Sequence, residues 1–338
     1  MRLDGRYIYG NDNRLVAVFD AVHNRLNIIR RRRIPNSILR ELGLNDLIEQ
    51  NRANDRRHEA SRNRHASAVS IPSSSGNNVS RRRSSRREPI KYTLGFELEY
   101  TDGAYDRNIL AWRITERGVK CSSQRYNHRT PRNWKLVHDG SLRGRNTGEL
   151  VSPVFNNRNF EEKIAALTEA IDGFCEVDPA NTSAGFHIHI KPKNGEFTDE
   201  DIRDIYTAYR NNEELIDSFM SRSRRGSGGQ WCRSLSNLNI DDLLSMERRY
   251  LNPRHTYRYH KINFIQAVAE RGSGTIEFRH HQGTTNKEKI INWAKFVMAF
   301  VENAKNLSTY DTLEELLDAM NLEEDVKSFF IARKAKLN

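Results

Sequence analysis

Apolar and polar residues alternate along "TLGFELEY" (residues 93–100), with Leu94, Phe96, Leu98 and Tyr100 on one parity and Gly95, Glu97 and Glu99 on the other. A period of two predicts a β-strand with one buried face. The same alternation returns in "SAGFHIHIKP" (183–192), where Phe186, Ile188 and Ile190 oppose His187 and His189. It returns again in "GTIEFRHH" (274–281), where Ile276 and Phe278 alternate with Glu277 and Arg279. Strands are thus predicted at 91–100, 185–191 and 274–280, with others at 134–139, 148–152 and 259–268. Apolar spacings of three and four predict helices over 158–174, 198–220, 240–248, 286–305, 311–320 and 322–335. In the 286–305 segment Ile290, Trp293, Val297 and Phe300 form one stripe that should pack on a sheet. Asn286 is placed to cap that helix, and Glu288 sits in its first turn. Strands mixed with helices predict an α+β domain over residues 90–338.

The first 89 residues read differently. "RYIYG", "RLVAVFD" and "RLNIIRR", separated by turn signals, predict a small β-rich N-terminal unit over 1–50. A helix should begin near Asn36 or Ser37. Residues 51–89 are rich in Ser, Arg and Asn without apolar period, which predicts a disordered Ser/Arg-rich linker.

Composition narrows the class. No run of about 18 apolar residues is present, so no membrane helix is expected, and the N-terminus lacks the apolar stretch of a signal peptide. Three scattered cysteines without a CxxC pair point to a reducing compartment, hence a cytoplasmic protein. The net charge is +11, but residues 51–89 hold ten Arg against three acidic residues, and residues 1–50 nine Arg against six. The body from residue 90 is therefore nearly neutral. A basic nucleic-acid groove there is disfavoured, and any nucleic-acid or acidic-partner contact falls to the arm at 51–89.

The chemistry lies on the polar parities. Glu97 and Glu99 stand about 6–7 Å apart on one strand face, where like charges repel. Taken singly, each motif has a plain reading: a solvated strand face for ELE, a cross-strand ion pair for EFR. HxH is harder to explain structurally, and all three occur in one body. "WKLVHDGSLRGRNTGELVSP" adds Asp139 and Glu149 at two strand ends. If the apolar faces share a core, the polar faces line one concavity. Converging carboxylates need cations, and oxygen donors with an imidazole suit Mg²⁺ or Mn²⁺. Two such ions about 3.5–4 Å apart are the usual means of handling phosphoryl groups. Arg279 and a second histidine would add positive charge toward phosphate oxygens. His138, His280 and His281 read as packing or rim residues. "SRSRRGSGGQW" (221–231) reads as a mobile connection, and neither a GxxxxGK[ST] loop nor a GxGxxG motif is present.

Taken together, "GFELEY", "HDGSLRGRNTGELVSP", "AGFHIHI", "YRYHKINF" and "GTIEFRHHQGTTNKEKIINWAKF" resemble the amidoligase family, relatives of glutamine synthetase and γ-glutamylcysteine ligase. The resemblance spans about 60% of the chain, roughly 91–300. It implies a glutamine-synthetase-like fold: a curved, mainly antiparallel sheet cradling the site, with helices on its outer face. It implies ATP and two divalent metals as cofactors. Glu97, His187 and Glu277 would hold one metal; Glu99, Glu149 and Asp139 the other. His189, Arg279 and Arg258 would contact phosphate, with Arg254 a poorer candidate, and Asn263 would orient its strand. The implied reaction phosphorylates a carboxylate and passes the acyl group to an amine. The carboxylate and amine substrates would be small molecules, peptides or protein side chains. Asp102 and Asp106 are weak candidates for the base.

Two other classes compete. A cupin-type single-metal enzyme also uses HxH, but it leaves the ELE strand unexplained. A non-catalytic scaffold would use the ligase-like fold as a frame and the Arg-rich arm to bind a partner. Deletion of 51–89 is expected to remove salt-sensitive RNA or DNA binding under the scaffold reading and to leave the body folded, which gel shifts across a salt series would measure.

Overall fold

The computed structural model describes the strand segments within residues 2–28, residues 36–42 and 44, and residues 89–338 except 126, 128, 227, 228, 230, 253, 254 and 338. The chain divides into two units, residues 1–84 and 85–338. In the first, strands β1 (Arg2–Asp4), β2 (Tyr7–Tyr9), β3 (Leu15–Asp20) and β4 (Arg25–Ile28) form an antiparallel sheet in sequence order. A short helix, Asn36–Glu41, follows and buries Ile38 and Leu39. The expected linker lies, up to residue 88, outside the described residues, as does Arg254.

The second unit is built on strands β5 (Tyr92–Tyr100), β7 (Cys121–Ser123), β8 (Trp134–Val137), β9 (Gly148–Val151), β10 (Phe155–Asn156), β12 (Gly185–Pro192), β13 (Ile262–Asn263) and β14 (Ile276–Gln282). They pair in the order β13-β14-β12-β5-β9-β8-β7, with β10 also on β5. Every pairing is antiparallel except β7 with β8. A separate ribbon joins β6 (Asp102–Gly103) to β11 (Cys175–Glu176). This is the expected α+β class with a mainly antiparallel sheet. The strand path does not close on itself among the described residues, so the barrel that a cupin requires is not formed.

One sheet face is apolar, as the alternation predicts. Phe96, at the centre, has its ring 6.0–6.2 Å from those of Phe155, Phe160 and Phe186. Phe160 opens the helix Phe160–Ile171, which packs here. The helix Lys287–Asn303 lies over the same side and buries Ile290, Trp293, Val297 and Phe300 completely. The Asn286 carboxamide caps it by accepting from Lys289 N–H at 3.0 Å. Among the described residues no helix is long and apolar enough to cross a membrane.

Three predicted elements change form. The helix expected over 198–220 is broken at Asn212, between Asp199–Asn211 and Glu213–Asp217. Asn212 is buried, donates to Ala208 and Ser308 carbonyls and accepts from Tyr310 N–H, fastening a distant loop. The strand expected over 259–268 shortens to Ile262–Asn263, then a helical turn, Ile265–Val268. The Asn263 side chain accepts from Ile265 N–H at 3.0 Å and so turns the chain. The "SRSRRGSGGQW" segment, expected as a plain connection, opens with a 3₁₀ turn, Arg222–Arg224, and its residues 227, 228 and 230 lie outside the described residues. A helix not foreseen, Arg107–Glu116, starts at Asp106, whose carboxylate accepts from Asn108 and Ile109 N–H.

Phe96→Ala, which removes a ring from the middle of this core, is expected to cost about 3–5 kcal/mol of stability in denaturant unfolding.

Candidate active site

Strand register builds the site, because residues directly opposed in a ladder share a face. One row across the sheet runs Lys135, Val151, Glu97, His187. A second runs Val137, Glu149, Glu99, and a third Gly95, His189, Glu277, Asn263. A register shift on β14 then sets Phe186 opposite His281 while Ile188 opposes Phe278. Arg279 stays on the polar face, and both following imidazoles turn into the helix layer. There His280 packs on Tyr209, and His281 on Phe186 and Trp293, the packing roles expected.

This polar face forms one wall of a cavity of about 750 Å³. Glu97, Glu99, Asp139, Glu149, His187, His189, Arg258, Asn263, Glu277 and Arg279 all line it. His187 Nδ1 lies 3.3 Å from Glu97 Oε2 and 3.5 Å from Glu277 Oε1, and His189 Nε2 lies 3.2 Å from Glu97 Oε1. Arg279 pairs with Glu277, whose other oxygen accepts from Asn263 Nδ2 at 2.7 Å. Asn263 therefore steers a carboxylate as well as its strand. Arg258 projects from a 3₁₀ turn with its guanidinium 5.5 Å from the centre of the Tyr259 ring.

Donor atoms close into two groups, Glu97–His189–Glu277 and Glu97–Glu149–His187, each within 4.8 Å. These differ from the sets implied by the resemblance. Glu97 is common to both, His189 joins a donor group rather than standing apart, and Glu99 and Asp139 fall outside. The Glu99 carboxylate accepts from Gly185 N–H, and Asp139 accepts from the Ser141 amide and hydroxyl at 2.7 Å. Gly185 also leaves room for the neighbouring imidazole, since a Cβ there would stand 2.6 Å from His187 Nε2.

Electrostatics separate the carboxylates. Burial raises the Glu149 carboxyl well above its usual range, and the Glu97 and Glu99 charges push the same way. Burial also raises Glu99, against the pull of His187. Glu97 resists burial because His189 and His187 attract and hydrogen-bond it, holding it well below the usual range. Glu277 drops to about 2, the Arg279 charge and the histidines outweighing burial. His189 rises to about 9 because Glu97 and Glu277 overcome its desolvation.

Lys135 and Arg224 also line the cavity and were not foreseen. Lys135 is 2% exposed, and its ammonium donates to the Asn127 and Arg129 carbonyls at 2.7 and 2.8 Å. Burial lowers its pKa against the attraction of Glu149 and Glu97. Its parity with Asp139 in "WKLVHD" was the available signal. Conversely, Asp102 pairs with Arg145 and Asp106 caps a helix, and neither lines the cavity.

Two consequences follow for metal-free protein. The folded state holds the His189 proton more tightly than the unfolded chain, whose imidazole pKa is about 6.5. That stabilisation is complete below about pH 6.5 and is lost as pH rises through about 9. Melting temperature in chelator is expected to fall over this interval, and His189→Gln should flatten the slope. Affinity for added Mg²⁺ or Mn²⁺ should rise across the same interval, since a cation held by His189 would have to displace its proton.

Comparison with known proteins gives the lineage. No curated protein matches the sequence. Among solved structures, a cryo-EM structure of Plasmodium falciparum glutamine synthetase aligns at TM-score 0.38 and 9% identity, covering 64% of this chain and 52% of that one. The chain thus spans about half the length of that relative. A crystal structure described as a novel glutamine synthase homolog aligns at TM-score 0.37 and 12% identity, covering 73% and 66%. Residues 91–301, more than half of the chain and every described residue of the cavity wall, match the family described as "Putative amidoligase enzyme". The chain belongs to the amidoligase family.

Proposed function

We propose that this protein is an ATP-dependent carboxylate–amine ligase, forming an amide or peptide bond through an acyl phosphate with two divalent cations. The observation that carries the reading is the sheet face itself. Four glutamates and two histidines from four neighbouring strands meet Arg279 in one cavity. Family membership supports a ligase, and the donor chemistry supports the cofactors. Carboxylate oxygens with one imidazole per group suit Mg²⁺ or Mn²⁺ rather than a thiolate-seeking ion.

Glu97, Glu277 and His189 would hold one cation, and Glu97, Glu149 and His187 the other, with Glu99 and Asp139 at the border. Such ions neutralise charge on phosphate oxygens when bound. The chain's own residues then have separable tasks. Arg279 and Arg258 each keep a buried Nε without a hydrogen-bond partner, which suits them to receive phosphate oxygens. Asn263 holds Glu277 in place. Phosphoryl transfer to a carboxylate needs alignment and charge compensation more than a protein nucleophile, and no nucleophilic Ser or Cys motif is present. About 750 Å³ accommodates a nucleotide together with a small acid or a side chain reaching in from a peptide or protein. The three cysteines are unpaired, which fits work in the cytoplasm.

Mg·ATP is expected to raise the melting temperature of the full chain, and a screen of carboxylates against amines should find a pair that releases ADP. Glu97→Ala and His187→Ala should each abolish both responses. A wild-type protein indifferent to Mg·ATP would sink this reading.

A further inference from the structure

Arg224 lies at the end of the 3₁₀ turn Arg222–Arg224, is 5% exposed and lines the cavity. Arginine is rarely buried this far without an ionised partner, because removing its charge from water is costly. Here the guanidinium donates to the Ala184 carbonyl and touches the Cys232 thiol. Among the described residues it forms no ion pair with a carboxylate. Of the nearby acids, Glu99 is already bound to the Gly185 amide. A guanidinium carries five N–H donors in a planar fork, so most of this one's capacity is unspent. The same glycine that makes room for His187 also leaves space for this guanidinium. A Cβ at Gly185 would lie 2.6 Å from His187 Nε2 and 3.3 Å from Arg224 Nη2.

A buried network outside the cavity holds this arginine. His280 Nε2 lies 2.9 Å from the Arg224 carbonyl and 2.8 Å from Asp217 Oδ1. A carbonyl only accepts, so Nε2 carries the proton, and Nδ1 accepts from the Tyr209 hydroxyl at 2.5 Å. Asp217 also accepts from Lys261 Nζ at 2.6 Å and from Gly226 N–H, just past the turn. Lys261 reaches Glu213 at 2.6 Å as well. The turn is therefore latched at the Arg224 carbonyl and at the Gly226 amide by groups that are themselves paired. A cation fixed this way, and left short of an anion, is organised for a ligand.

We infer that Arg224 is a binding residue of the reaction chamber, its guanidinium receiving an oxyanion beside His187, with Asp217 and His280 as positioning residues. Two sources share this chemistry, the substrate carboxylate and the terminal phosphate of the nucleotide. The inference rests on the ligase reading for its occupant, while the anion subsite itself stands on geometry alone.

Titration calorimetry on the full chain tests it, with wild type, Arg224→Met and Arg224→Lys compared for Mg·ADP, for Mg·ATP, and for acetate added to the Mg·ADP complex. Mg·ADP affinity should be unchanged. If the terminal phosphate is the occupant, Mg·ATP binding weakens about tenfold or more in Arg224→Met. If the carboxylate is, acetate binding weakens by that factor and Mg·ATP does not. Arg224→Lys keeps the charge and loses the fork, so it should recover part of the loss; should Arg224→Met fail to fold, the lysine variant carries the comparison with a smaller loss. Equal affinities in all variants, or a parallel loss of Mg·ADP, would overturn the assignment. Wild type that binds no nucleotide would remove the ligase reading only. Inorganic phosphate titrated onto the nucleotide-free protein then decides Arg224 by the same tenfold criterion.

Discussion

Glu97, Glu99 and Glu149 occupy neighbouring places in one antiparallel ladder, and the rest of the second unit is arranged around their mutual repulsion. Each carboxylate is relieved differently. Two imidazoles stabilise the Glu97 charge, the Gly185 amide binds Glu99, and Glu149 is pushed toward its protonated form. Glu277, one row away, leans on Arg279. These compensations come from groups on the same sheet. Under the proposed function, a cation held by Glu277 would compete with Arg279 for that carboxylate.

Holding so many charges in place requires a stiff support, and the opposite face supplies it. The aromatic cluster around Phe96, with the helices Phe160–Ile171 and Lys287–Asn303 behind it, locks the register that sets the polar rows. A slip of one residue would send Glu97 and Glu99 into that core, so the apolar packing is also what keeps the carboxylates together. The register shift on β14 lets one strand serve both layers. Arg279 faces the cavity, while His280 joins the buried pairs that fix the Arg222–Arg224 turn.

Much of this was legible along the chain because strands write their two faces into alternate positions. Glu97, Glu99, His187, His189, Glu277 and Arg279 each declared themselves by parity, and Asp139 and Glu149 by falling at strand ends. Lys135 followed the same parity but was hidden among apolar neighbours. Arg224 gave no periodic signal, since its place depends on a turn held by residues from other parts of the sequence. Asp106 looked like a free acid because a helix cap and a cavity carboxylate are the same residue type. Asn212 and Asn263 broke elements that propensity ran through, each by bonding its side chain to backbone.

The sequence by itself determined which residues share a face, the class of the fold and the hard-donor character of the site, because alternation and side-chain chemistry are local properties. Only the tertiary structure decided how the donors group. Which histidine stands against which glutamate depends on the pairing of β5, β12 and β14, strands far apart along the chain. The same holds for the burial of Arg224 and for the opposite protonation tendencies of Glu97 and Glu149. Those follow from desolvation and from charges a few ångströms away in space, and neither quantity exists until the chain has closed on itself.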